Sequence, residues 1–172
     1  MYVLMQYFRR DKMGEMAKKI IKLDLDELLK VLNEAYAEEW LAYYQYWLGA
    51  KLAYGPERPS VVKEFEEHAG EELKHADWLA NRILQLGGTP ALSPEDWGRL
   101  ARCRYIPPKV TDVQTLVKEN LASERCAVER YQRLCEMTEG KDYETFRISR
   151  KILKEELEHE QEMEDFEADF KN

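Results

Sequence analysis

The stretch Phe65–Leu79, FEEHAGEELKHADWL, decides how this chain folds. Phe65, Ala69, Ala76 and Leu79 recur at the spacing of one helical face, and Ile83 and Leu86 continue the stripe until Gly87-Gly88 ends it. Glu72 and His75, three positions apart, sit on that same stripe. A face that seeks burial tolerates ionisable groups only when they are paired or hold a metal. The stretch therefore predicts a buried helix with chemistry on its inner side.

Working outward, the same period marks three more long helices. Asp24 is a good N-cap for a helix carrying Leu25, Leu28, Leu32, Ala35, Tyr36, Ala42, Tyr43, Tyr46, Ala50 and Ala53, ended by Gly55-Pro56. Thr111 with Gln114 has the form of a capping box, and Val113, Val117, Leu121, Ala127, Val128, Tyr131 and Leu134 follow as far as Gly140. Asp142 can cap a last helix whose inward face includes Phe146, Ile152, Leu153, Met163, Phe166 and Phe170. Between the pairs, Pro90, Pro94, Pro107 and Pro108 mark a crossover with room for one short helix, Ser93 to Leu100. The predicted class is all-α: a four-helix bundle of two antiparallel hairpins joined by one long crossover carrying a short helix.

Composition agrees. The 172 residues suit one domain, with 44% hydrophobic residues for a core and 35% charged residues for a surface. The net charge of -8 excludes nucleic-acid binding through bulk charge. Of the acids, 25 are Glu and 9 are Asp, the balance helices tolerate. Six basic residues, Arg9, Arg10, Lys12, Lys18, Lys19 and Lys22, stand against Asp11 and Glu15 in the first 22 residues, so residues 1–23 are expected to form a basic tail ahead of a bundle over 24–172. Such a tail either is disordered or touches DNA, and without a readout motif DNA binding is the weaker expectation. There is no apolar run of membrane-spanning length, the N-terminus lacks the order of a signal peptide, and three cysteines make no secretory framework. The expected location is cytoplasmic, with no membrane partner.

The constellation on the inner faces is repeated. Glu39 precedes Tyr46 by seven residues on the first helix, as Glu124 precedes Tyr131 on the third. Glu72-x-x-His75 on the second helix recurs as Glu156-x-x-His159 on the fourth. Glu39 and Glu124 are 85 positions apart, Glu72 and Glu156 are 84, so the hairpins read as a duplication about a pseudo-twofold axis. His68, with Phe65 three positions before it, lacks the pattern. Four buried carboxylates balance two divalent cations when both histidines are neutral, the ligand set of a di-iron or di-manganese site. Tyr46 and Tyr131 are read either as core packing or as hydroxyls bonded to ligand carboxylates.

At these residues the chain resembles the ferritin-like superfamily, over roughly Asp24 to Phe170. Glu39–Tyr46 (EWLAYYQY) and Glu72–Asp77 (ELKHAD) resemble the helix A and helix B ligand motifs of bacterioferritin. That resemblance implies that Glu39 and His75 hold one iron, Glu124 and His159 the other, and that Glu72 and Glu156 bridge them. Leu73 stands where bacterioferritin carries a haem-binding methionine, so no haem is expected. The whole looks most like the Dps-like mini-ferritins called thioferritins, which combine a bacterioferritin-type site with a cysteine pair near the metals. The resemblance implies that Cys103 and Cys126 are that pair, as a redox-active disulfide. Cys126, two positions from Glu124, is about 200° around the helix from it and should face the crossover. Cys135 reads as a small core residue.

The function this implies is a ferroxidase of the oxidative-stress response. Two Fe(II) per chain would be oxidised, preferably by hydrogen peroxide and otherwise by dioxygen, and the ferric product stored as mineral in a homo-oligomeric cage, a dodecamer. Manganese is the other metal the ligands suit. A rubrerythrin-like or manganese-catalase-like peroxidase without storage, an oxidase of a small organic substrate, and a non-enzymatic helical scaffold remain alternatives.

Overall fold

The structure, a computed structural model, describes residues 14–105 and 107–171. Their helices are α1 (Glu15–Ile20), α2 (Leu25–Leu52), α3 (Arg58–Gln85), α4 (Pro94–Leu100), α5 (Val113–Thr138) and α6 (Tyr143–Asp169). The four long ones form the bundle, α2 with α3 and α5 with α6 as the closely packed hairpins. Among the described residues no helix is long and apolar enough to cross a membrane.

Helix starts are set by short polar side chains that accept otherwise orphaned backbone N–H groups. Asp24 accepts from Glu27 N at 2.9 Å, and Asp142 accepts from Thr145 N at 3.1 Å, both at the predicted caps. Two boundaries differ from expectation. The cap of α5 is Asp112, accepting from Thr115 N at 3.0 Å, one residue beyond the Thr111 capping box. Helix α3 begins at Arg58 rather than after Ser60, because a proline is favourable in the first helical turn, where no intrahelical N–H bond is lost. Gly140, at φ +69°, gives the left-handed turn that lets α6 reverse direction after α5.

The expected basic tail contains more order than its composition suggested. Ala17 and Ile21 pack on the bundle, and Lys22 N donates to Lys141 O at 2.9 Å. At Gly14 (φ +73°) a Cβ would lie 2.2 Å from the Gln85 carbonyl oxygen, so this contact requires glycine. Arg9, Arg10, Lys12 and Asp11 lie outside the described residues.

The crossover is tied to the bundle at three places. Trp97 of α4 stacks on Trp40 of α2, ring centres 5.0 Å apart. Tyr54 and Asp112 form a two-residue parallel bridge between the loop of the first hairpin and the start of the second. Cys103 joins Cys126 in a disulfide, with Cys126 turned toward the crossover as expected, while Cys135 is buried as a free thiol.

Side chains fill the bundle in three layers. One apolar cluster gathers Ala50, Val61, Phe65, Val117 and Met163, and another Leu28, Leu32, Leu79, Ile83 and Ile152. Phe146, expected to point inward, is half-buried beneath the Arg150 guanidinium. Between the two clusters runs a polar layer.

Candidate metal centre

Each long helix contributes to that layer from its middle, where fraying is least. Glu39 comes from α2, Glu72 and His75 from α3, Glu124 from α5, Glu156 and His159 from α6, and none is more than 3% exposed. The three-residue spacing of Glu72–His75 and Glu156–His159 puts both members of each pair on one face, and antiparallel packing brings the four helices to a common depth.

The six residues form two overlapping groups. Glu39, His75, Glu72 and Glu156 make one; Glu124, His159, Glu72 and Glu156 make the other, and in each the ligand atoms lie within 4.8 Å of one another. His75 Nδ1 is 3.2 Å from Glu39, 3.3 Å from Glu72 and 3.1 Å from Glu156. His159 Nδ1 is 3.4 Å from Glu72, 3.7 Å from Glu124 and 3.8 Å from Glu156. Both imidazoles thus aim Nδ1 inward. Their Nε2 atoms face outward, His75 to Glu155 and His159 to Glu71, each at 2.8 Å. A carboxylate on the far nitrogen fixes the ring and leaves Nδ1 as the donor atom for a cation.

The tyrosines resolve the open alternative by crossing between halves. Tyr46 of α2 donates its hydroxyl to Glu124 of α5, and Tyr131 of α5 donates to Glu39 of α2. Burial and the neighbouring carboxylates raise both phenols well above their usual range, so they remain protonated donors.

The residues present fit two divalent cations. Glu72 Oε1, both Glu156 oxygens and His159 Nδ1 have no hydrogen-bond partner although fully buried. Unsatisfied buried acceptors are costly, and here they converge on two points. Protons offset part of the buried carboxylate charge. Burial and the Glu72 charge push the Glu39 carboxyl up to about 8 and raise Glu156 well above the usual carboxylate range. Burial opposes ionisation of Glu72 as well, yet His159 and His75 beside it outweigh that cost and hold its carboxyl low. Burial likewise disfavours charged imidazoles, but Glu155, Glu156 and Glu39 raise His75 well above its ordinary value, and Glu124 and Glu72 push His159 up to about 12.

A narrow cleft between α2, α5 and the crossover reaches the layer. It passes Gln45, Cys103, Tyr105, Ser123 and Ala127 and touches Glu39, Glu72, Glu124 and Glu156. Cys103 therefore lies on the way to the centre, while Cys126 faces away from it.

The supporting residues went unread in the sequence. Arg130 binds Glu38 through Nε and Nη2 at 2.7 and 2.6 Å and Glu34 through Nη1 at 3.1 Å; all three are buried. Glu38 also accepts the backbone N–H groups of Arg102 and Cys103, at 2.7 and 3.2 Å. The available signal was doubling: Glu38-Glu39, Glu71-Glu72 and Glu155-Glu156 each set a supporting carboxylate beside a central one.

Comparison with known proteins converges on the same architecture. The ferritin-like domain family matches residues 29–172. The chain is 36% identical over 140 residues to the DNA protection during starvation protein of Pyrococcus furiosus, covering 80% of this chain and 75% of that one. It is 31% identical over 134 residues to the bacterial ferritin of Pseudomonas aeruginosa, covering 76% and 77%. Among solved structures, a dodecameric thioferritin, the bacterioferritin-related protein of Bacteroides fragilis, superposes with a TM-score of 0.89 at 49% identity, covering 91% of this chain and 94% of that one.

Proposed function

The chain belongs to the ferritin-like domain family, and from that premise we propose that it is a ferroxidase that stores the iron it oxidises. The observation that carries this reading is that two four-residue ligand sets share Glu72 and Glu156 inside a single chain. Glu39 with His75 and Glu124 with His159 would each hold one Fe(II), and the two shared carboxylates would bridge them. Iron is substrate here, and the native pair is iron rather than manganese in this reading.

The protein's part in the reaction is to hold charge and protons. Two Fe(II) give one electron each to hydrogen peroxide, which with two protons becomes two water molecules. Binding the cations would displace protons from His75 and His159 and from the raised carboxyls of Glu39 and Glu156, so loading the centre frees more than the two protons this reduction consumes. Glu71 and Glu155 keep the imidazole rings in place meanwhile, and the tyrosine hydroxyls do the same for Glu124 and Glu39. The ferric product would move into a homo-oligomeric cage, a dodecamer like the Bacteroides thioferritin. The disulfide beside the cleft would be redox-active, and the bundle over 24–172 would be the catalytic unit with residues 1–23 as its appendage.

Anaerobic Fe(II) titration followed by peroxide tests the reading. Saturation at two Fe(II) in the centre, about two Fe oxidised per peroxide, and then loading far beyond two per chain are expected. Loading that stops at two would place the protein with the non-storing peroxidases; uptake unchanged by Glu72→Ala with Glu156→Ala would refute the site.

A further inference from the structure

A second group of possible ligands lies just outside the centre, where the duplication breaks down. Glu64 and His68 of α3 and Glu162 of α6 bring three ligand atoms within 4.8 Å of one another. His68 Nε2 is 2.8 Å from Glu162 and 3.5 Å from Glu64. Donor atoms that share one cation at about 2.1 Å, with angles near tetrahedral, are themselves roughly 3.4 Å apart; the Glu64 spacing matches this, and the His68–Glu162 hydrogen bond would lengthen to admit an ion. No lysine or arginine pairs with Glu64 or Glu162 among the described residues; the two carboxylates share one imidazole.

Packing does not account for these residues. The helices α3 and α6 correspond at an offset of 84 positions, which sets Ile148 opposite Glu64, Ile152 opposite His68 and Trp78 opposite Glu162. Those equivalent positions, Ile148 and Ile152 on α6 and Trp78 on α3, are apolar and belong to or pack on the Leu28–Ile152 cluster. The same scaffold position that takes isoleucine in one hairpin thus takes an imidazole in the other, 1% exposed, with Nδ1 lacking any hydrogen-bond partner. Burying a histidine with one unsatisfied nitrogen costs stability that isoleucine would not. The ring also stacks on His159, centres 3.9 Å apart, so its Nε2 opens outward between the carboxylates while its face touches the centre.

We propose that Glu64, His68 and Glu162 form a third divalent-cation site, one imidazole ring outside the centre, where an incoming metal ion is held before it enters. Glu162 is the outer ligand, its side chain 46% exposed, and Glu64 is 21% exposed, so the site opens to solvent on the side away from the crossover cleft. Glu67, Glu71 and Glu158 add negative charge around Glu162 and draw cations to it. The ligand set of one nitrogen and two carboxylate oxygens suits Fe(II), Mn(II) or Zn(II). The site stands on its own residues; only its role as a staging point rests on the ferroxidase reading.

Crystals of the whole protein soaked in Zn(II), with anomalous diffraction at the zinc edge, test it. A peak bonded to His68 Nε2, Glu64 and Glu162 is expected, in addition to two peaks in the centre. Zn(II) titration by calorimetry should show one ion fewer per chain for Glu162→Gln, a surface change that leaves the fold alone, and for His68→Leu. Glu72→Ala with Glu156→Ala should lose the central ions and keep this one, which separates the site from the ferroxidase reading. Central peaks with none at His68, or a zinc stoichiometry unmoved by Glu162→Gln, would overturn the proposal while leaving the centre intact. Fe(II) oxidation at limiting iron should slow in Glu162→Gln and recover at saturating iron; an equal loss at both would overturn the staging role.

Discussion

The two halves of the centre hold the same ligands by different means. On the His75 side, the carboxylate next to Glu39 joins a buried Glu34–Arg130–Glu38 network, and Trp78 lies against the imidazole at 5.5 Å beneath the Lys151 ammonium. At the equivalent place on the His159 side, Gln45 replaces Arg130 and donates to Asn120 at 3.0 Å, a neutral bond, and the imidazole is flanked by His68. His75 Nδ1 has its three carboxylates at 3.1–3.3 Å, whereas His159 has its own at 3.4–3.8 Å. The repeated hairpins carry two equal sets of ligands; their surroundings have made one half tight and braced by buried ion pairs, the other looser and turned toward an acidic face. The two metal positions should therefore differ in affinity, the His75 position filling first.

The largest effect on this comparison comes from removing what the halves share. Glu72→Ala with Glu156→Ala should abolish binding at both positions, whereas Glu39→Ala or Glu124→Ala should each leave one ion; a Zn(II) titration counts them. Arg130→Met strips the buried charged support from one half, leaving Glu34 only the exposed Arg102 guanidinium and Glu38 only the backbone N–H groups of Arg102 and Cys103. It should cost about 3–5 kcal/mol in denaturant unfolding. Glu155→Gln and Glu71→Gln loosen the outer grip on one imidazole each, and metal affinity at the corresponding position should fall about 10–100-fold; if each variant weakened both positions equally, the halves would not be independent.

Acid should act on both halves with the same sign. His75 and His159 are raised above the ordinary histidine value in the metal-free protein, so each is protonated at neutral pH and gives up its proton when a cation binds. Affinity should rise with pH, by up to about tenfold per unit for each proton displaced. Calorimetry in buffers of different ionisation enthalpy counts those protons, and a metal affinity flat between pH 6 and 8 would contradict the assignment. The smallest effect belongs to the neutral support: Gln45→Ala should cost about 1 kcal/mol, well below Arg130→Met.

What could be read from the sequence follows from what periodicity encodes. A residue's face on its own helix is fixed by 3.6-residue geometry, so Glu39, Glu72, His75, Glu124, Glu156 and His159 could be placed on inner faces from their apolar neighbours. Which residue of another helix it meets depends on packing. Hence the hydroxyl of Tyr46 found Glu124 rather than Glu39, and among 25 glutamates Glu71 and Glu155 stood out only by adjoining Glu72 and Glu156, a doubling that Glu66-Glu67 shares without a central ligand. His68 failed the Glu-x-x-His pattern because its carboxylates stand four positions back and on α6. The Asp112 cap was missed by one residue because Thr111 and Asp112 are both good caps, and α1 was missed because six residues, three of them charged, carry no clear period.

The crossed tyrosines say something about the origin and strength of the bundle. What α2 gives α5, α5 returns to α2, which is the form of a self-complementary contact between two copies of one hairpin. A single hairpin of this kind owns its glutamates but borrows the hydroxyl that steadies each outer one, so neither could act before the pair met. Joined end to end, the two behave as a dimer sealed inside one polypeptide. A chain clipped in the crossover and reduced at Cys103–Cys126 should therefore keep its halves together, held by the metals and by the bonds each lends the other.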